Sequence, residues 1–451
     1  MYILRLNDIG LIRSESRLTF NNERNIAVAN MKKKRLSQLI SLLVASTAAQ
    51  GVLTTHSFAT SDVIIDTPSN NLQIDYSANL VHITSTGTLT GAPTTALTVN
   101  QDVTVTTLTN DGVINDFVDD FYNPNSNIVQ IDGTVGELSN TGTIASVNPN
   151  HYGSIVAIGA LGVVDSFTNS GTIKSAPDTY NYGYDNTGAV DNEGHITTLT
   201  NTVDGTITGY RGIYNLGTID NLTNAGVISS ATNNNGMYYG RNGAIYNQGT
   251  IGTLYNTGTI QADTENYYDG AGVYNDGTIN TLINDSKIIG SSYGILNSGT
   301  IGIIENNGQI AANELGIYFN SYNNGSSATG KIVNNGEING NNFGIYISSY
   351  NSQNSATEIV NNGTLSGGYY AFVVDGYNNN TTNVTLTNTG LVKGDIYSYS
   401  ASPLTINGGT TTQGTLTGLN GIGNIANSGS GVVFGTGSLL LDDNVSVSDT
   451  V

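Results

Sequence analysis

Side chains able to do chemistry are few and scattered in this chain of 451 residues. One stretch, Gly290-Ser291-Ser292-Tyr293-Gly294, has the spacing of a nucleophile elbow, the sharp turn that presents a serine to a histidine base. Hydrolases of that type place the histidine after the serine, and none follows His195, so the stretch is read as a corner between repeats. Gly-Asp-Ser-Gly, the nucleophile motif of a serine protease, is absent. His56, His82, His151 and His195 are dispersed, and His195 falls at an outward, solvated position. Asp116, Asp119 and Asp120 form the densest carboxylate group. Polysaccharide-cutting enzymes use such clusters with a cation and a basic side chain, but these three sit among Phe117, Phe121 and Tyr122 and are read as a solvated loop. Lys393-Gly394-Asp395 is read as a turn. The chain is therefore expected to be no enzyme and to hold no cofactor or metal. A polysaccharide lyase or hydrolase is the alternative.

One feature does point to binding. Six segments, 177–187, 232–241, 264–269, 321–329, 350–356 and 376–383, are rich in Tyr, Asn, Ser and Gly. They carry Tyr180, Tyr182, Tyr184, Tyr238, Tyr239, Tyr267, Tyr268, Tyr322 and Tyr350. Tyrosine gives broad amphipathic contact at low entropic cost, and the small polar residues adapt around it. These segments are expected to be loops stacked along one edge of the molecule.

What must position them is a seven-residue pattern: apolar, any, Asn, any, Gly, any, apolar. It reads Ile213-Tyr-Asn215-Leu-Gly217-Thr-Ile219, and then Leu222-Thr-Asn224-Ala-Gly226-Val-Ile228. From Leu108 to Val392 it occurs fourteen times with Asn and Gly unchanged. Positions one, three, five and seven share a parity, so in an extended chain they face one side. The residues between them, mostly Thr, Tyr, Asn, Ser and Asp, suit a solvated face. A lone strand cannot bury its apolar side, so equivalent strands of successive repeats must stack. One asparagine track, Asn110, Asn140, Asn169, Asn201, Asn224, Asn256, Asn284, Asn306, Asn334, Asn361 and Asn388, advances by 22 to 32 residues, enough for three short strands and their turns. Stacking would join these amides into a ladder, with each glycine permitting a tight bend. The fold predicted is all-β, a right-handed parallel β-helix (solenoid), over residues 108–440. Residues 60–107 alternate apolar and polar without the pattern and are expected to be N-terminal cap strands. Residues 441–451 are expected to begin a C-terminal region that lies beyond this sequence.

The formal net charge is −20. Setting aside the eight basic and three acidic residues before position 36 leaves 31 acidic against six basic residues. Such a surface repels nucleic acid. There is no cysteine. The Lys and Arg residues at 32–35, the moderately apolar stretch 36–53 and the small residues of Ser57-Phe58-Ala59 have the order of a secretory signal, expected to start at Met31 and to be cleaved after Ala59. Residues 1–30 are read as an upstream extension, either of the signal or of a reading frame begun too early.

Together, the basic signal and the repeats of the form Leu254-Tyr-Asn256-Thr-Gly258-Thr-Ile260 resemble the passenger domain of a Gram-negative autotransporter (type V secretion), over roughly residues 31–440. The resemblance implies an adhesin-like passenger exported through the periplasm to the outer-membrane surface or the extracellular space. Its expected partners are a host-cell surface protein or glycan, or a second rod by self-association. A C-terminal outer-membrane β-barrel would carry it. No run of amphipathic ten-residue strands occurs before Val451, so the barrel is expected either in cis beyond this sequence or as a separate transporter. A structural stalk for a missing tip domain is a further alternative.

Overall fold

A computed structural model describes residues 62–91, 94–117, 126–148, 151, 153–175, 188–230, 242–262, 270–320, 329–348, 356–375, 382–442 and 444–448. The signal region, the nine loop tyrosines singled out above, and Asp119 and Asp120 lie outside the described residues.

One coil shows how the sequence folds. Strand Thr218–Asn224 lies on a first face, Val227–Ser230 on a second and Asn242–Asn247 on a third. The next coil repeats them as Thr250–Asn256, Thr259–Gln261 and Gly270–Asn275, each pairing in parallel with its predecessor. The first face holds fifteen strands, from Val63–Ile65 to Val432–Phe434. At about 4.8 Å per strand it is roughly 67 Å long. The second and third faces merge where Thr364–Asp375 and Leu391–Ser398 run from one to the other without a break. This is a parallel β-helix. The strands within residues 60–107, expected as a cap, pair in register with the coil that follows: Val81 with Leu108 and Ile83 with Asn110, and both Val81 and Ile83 are fully buried.

Like residues do lie over one another inside. The isoleucines 228, 260, 288, 310 and 338 form one column on the second face. The eleven track asparagines form another on the first, each no more than 1% exposed. Every track amide Nδ2 donates to the Oδ1 of the next, at 2.7 to 2.8 Å, from Asn110 through Asn388. A second ladder runs at the end of the third face through Asn192, Asn215, Asn247, Asn275 and Asn297, with four bonds of 2.7 Å. Aliphatics occupy the same columns before each ladder begins: Ile83 precedes Asn110 and Ile158 precedes Asn192. The first Oδ1 of each ladder, on Asn110 and Asn192, therefore has no donor.

Two sequence readings change here. The seven-residue pattern is not one extended segment, because the strand ends at Asn and the next begins after Gly. Asn215 is the last residue of its strand, and its amide also donates to the Gly217 carbonyl at 3.2 Å across the corner. Nor does a special backbone conformation demand the glycine, since Gly217 and Gly249 are absent from the positive-φ glycines. The coil beneath demands it: a Cβ on Gly217 would lie 2.1 Å from the Gly194 carbonyl oxygen.

Loop placement is the other correction. Segments 177–187, 232–241 and 264–269 connect the second face to the third. Segments 321–329, 350–356 and 376–383 connect the third face to the first, so the two sets leave from different edges. The cause is the loss of the second ladder: after Asn297 its column continues with Phe319, Ile347 and Val374. Asn-x-Gly does not recur at that corner in these coils. Meanwhile the corner between the second and third faces shrinks to two residues, as at Ser291-Ser292 and Asn313-Glu314.

Candidate functional site

The outer side of the third face carries the densest functional chemistry among the described residues. Asp191, Tyr214, Tyr246, Tyr274, Leu296, Tyr318 and Tyr346 are successive register partners along it. They alternate with inward residues such as Ile213 and Asn215, so parity turns them outward. They are not, however, solvated as expected: Tyr214, Tyr246 and Tyr274 are only 4%, 3% and 2% exposed. Their rings stack, with centroids 5.3 and 4.7 Å apart and planes 11° and 25° from parallel. The hydroxyls are hydrogen-bonded, as buried polar atoms must be. Tyr214 donates to Gln248 Oε1 at 2.7 Å and Tyr246 to Asp276 Oδ2 at 2.9 Å. Gln248 and Asp276 each follow the corner asparagine of the next coil. The signal was present in the sequence as the recurring Tyr-Asn of Ile213-Tyr-Asn, Ile245-Tyr-Asn and Val273-Tyr-Asn.

A buried cation joins the stack. The guanidinium carbon of Arg211 lies 4.5 Å from the Tyr214 ring centre and 4.6 Å from that of Tyr246. Asp191 lies at the head of the track, its Oδ2 accepting from Ser154 Oγ at 3.0 Å. Burial pushes its carboxyl up to about 7, against the Ser154 hydrogen bond and Arg211, and Glu193 adds to the rise. Because the unfolded carboxyl ionises near 3.8, the folded chain holds the proton more tightly between about pH 4 and pH 7, and stability falls as pH rises through that window. Asp191→Asn should therefore raise the urea midpoint at pH 8 and leave it nearly unchanged at pH 4. An equal shift at both pH values would show that the carboxyl is not the cause.

Towards the C-terminal end the stripe widens and opens. Tyr293 stacks on Tyr318 at 5.6 Å, and Phe343 on Tyr370 at 5.6 Å and 4°. Other rings stand at steep angles: Tyr318 to Tyr346 at 73°, Tyr370 to Tyr397 at 73°, and Tyr397 to Tyr399 at 52° with centroids 4.5 Å apart. Tyr399 is 47% exposed, and Tyr346, Tyr370 and Tyr397 are half-buried. Tyr346 donates to Asp375 Oδ2 at 2.6 Å. Burial first, and then the Asp375 carboxylate, push the Tyr346 hydroxyl far above its ordinary range.

Comparison with known protein families, curated proteins and solved structures finds no match.

The other residues considered for catalysis take structural places. Gly290 to Gly294 is indeed a corner, where Ser291 and Ser292 are buried against the Gly270 carbonyl. Asp116 accepts from Ser146 Oγ and the Val147 amide, both at 2.6 Å, and pairs with His151 at 3.0 Å. Burial alone would raise its carboxyl, but the bonds from His151, Ser146 and Val147 outweigh that and hold it low. His82 pairs with Asp111 and the half-exposed His195 with Asp220. Lys393-Gly394-Asp395 lies within strand Leu391–Ser398, not in a separate turn, and Gly394 (φ 121°) lets that strand bend from the second face to the third.

Proposed function

We propose that this chain is a binding rod of the adhesin type, exported to the cell surface or released, that acts without catalysis through the aromatic stripe on the outer side of its third face. The passenger reading, with an outer-membrane barrel in cis or a separate transporter, belongs to the same proposal. The observation that carries it is the row of rings from Tyr293 to Tyr399, partly open to solvent and fixed on a stacked β scaffold. Aromatic rings held by regular structure bury contact area at little entropic cost, which favours them as anchors. The partner is a host-surface protein or glycan, or the same stripe of a second rod. An acidic surface argues against nucleic acid.

The test compares the full chain with a Tyr397→Thr, Tyr399→Ser double variant. Attachment of labelled protein to host cells, or self-association read by light scattering, should fall at least about tenfold while the β circular dichroism is kept, since two contact anchors are worth more than 1.4 kcal/mol together. Retention of both attachment and self-association at the wild-type level would overturn the stripe as the binding surface.

A further inference from the structure

The two halves of the stripe differ in one respect that bears on ligand chemistry. The N-terminal half already carries a cation of its own, Arg211, lying on Tyr214 and Tyr246. Nearby stand the carboxyl groups of Asp191, Glu193 and Asp276, which the Tyr214 hydroxyl senses. A flat guanidinium on aromatic faces beside carboxylates is a favourable arrangement, because the ring quadrupole and the anions attract it together. The C-terminal half continues the rings, with Tyr318 and Tyr346 in the column of Tyr214, Tyr246 and Tyr274, and it carries a carboxylate of its own, Asp375, in register with Ser348 of the preceding coil. Among the described residues it has no guanidinium to match: the arginine among them, Arg211, lies in the N-terminal half. Of the lysines beyond Arg211, Lys331 pairs with Glu358 on the first face at 3.0 Å, and Lys287 and Lys393 are exposed on second-face strand segments.

Resting on the stripe reading above, we propose that Asp375 with Tyr346, Tyr370, Tyr397 and Tyr399 forms a binding site for an organic cation, a guanidinium or alkylated ammonium group presented by the partner. The rings of Tyr370, Tyr397 and Tyr399 meet at 73° and 52° instead of lying in one flat stack, so their faces turn in different directions, and a cation binds over such a face. Asp375 supplies the charge, and Tyr346 fixes its carboxylate by the 2.6 Å hydrogen bond. The Tyr399 hydroxyl is raised first by burial and then by Tyr397, with Tyr370 and the Asp375 carboxylate adding to the rise. Arg211 shows within the same molecule that such a column accepts a guanidinium.

The test titrates the full chain with N-acetylarginine amide, tetramethylammonium and an arginine-containing peptide, against the uncharged N-acetylcitrulline amide. The chain has no tryptophan, so tyrosine fluorescence reports binding directly. The cations should bind, citrulline amide should bind at least about tenfold more weakly, and Asp375→Asn should weaken the cations by about tenfold. Tyr399→Ala should weaken them by about fivefold, and Asp220→Asn, on the first face, should leave cation affinity unaltered. Preference for the peptide over the free amide assigns the cation to a protein partner, and equal affinity assigns it to a free or lipid-borne group. No cation binding, equal binding of citrulline amide, or unaltered affinity in a folded Asp375→Asn variant overturns the site. Attachment that needs Tyr397 and Tyr399 yet is not competed by arginine amide overturns the cation site and keeps the stripe. Arginine amide binding with attachment indifferent to the stripe does the reverse.

Discussion

Asn256→Ala is expected to destabilise the rod by about 4 kcal/mol, far more than the loss of an exposed amide. Asn256 accepts from Asn224 Nδ2 at 2.8 Å, donates to Asn284 Oδ1 at 2.7 Å, and donates to the Lys287 carbonyl at 3.0 Å. Removing it strands the buried Asn284 oxygen, at about 1–3 kcal/mol for an orphaned buried acceptor, and leaves a cavity in a packed column at a further 1–2 kcal/mol or so. Position along the ladder should modulate the cost. Asn110 already carries an oxygen without a donor, so Asn110→Ala merely moves that orphan to Asn140 and should cost roughly half as much. Urea midpoints of the two variants decide the matter: equal losses would mean that the ladder is not a chain of coupled amides.

Gly249→Ala should cost about 3 kcal/mol or more, although it adds a single carbon. The new Cβ would stand 2.0 Å from the Gly217 carbonyl oxygen, which is backbone and already accepts from the Thr250 amide at 2.9 Å. Neither group can step aside without opening the stack at that corner, where the Gln248 and Gly249 amides share the Asn215 carbonyl. Overpacking against fixed atoms reaches the upper end of the usual range. Because each coil touches only its neighbours, the damage should stay local, and protease nicking should appear near the altered corner before the rest of the rod yields. A variant with wild-type midpoint and no new cleavage would refute the contact.

Much of this architecture was legible because a β-helix repeats its interior. Eleven asparagines picked from the sequence by spacing are the eleven bonded members of the first ladder, and the apolar seventh positions that follow them, such as Ile228, Ile260, Ile288 and Ile310, fall in one column of the second face. Parity alone, however, tells which way a side chain points and not what lies beyond it. Tyr214, Tyr246 and Tyr274 point away from the core, yet are buried in a second apolar layer with Ala271 and Leu296. The glycines were assigned to the bend for a similar reason: a bend is local and visible in sequence, whereas the carbonyl of the coil below is neither. The edge taken by the loops was misread because insertions were counted from the asparagine pattern, and that pattern loses its second ladder after Asn297. The candidate loop tyrosines lie outside the described residues, and the aromatic stripe, signalled in the sequence by nothing more than the recurring Tyr-Asn, is brought together by register.

The ladders also have a direction. Every bonded side-chain amide from Asn110 to Asn388 points its N–H towards the C-terminal end and its C=O towards the N-terminal end, and the shorter column does the same. Their dipoles add, so the rod is electrically polar along its axis, with the negative pole at the bare oxygens of Asn110 and Asn192. Aligned amides in a low-dielectric interior polarise one another, which tightens the middle of each column more than its ends. Thermal opening should thus begin where isoleucine gives way to asparagine and travel inward, giving a uniform stack of coils a built-in order of fraying.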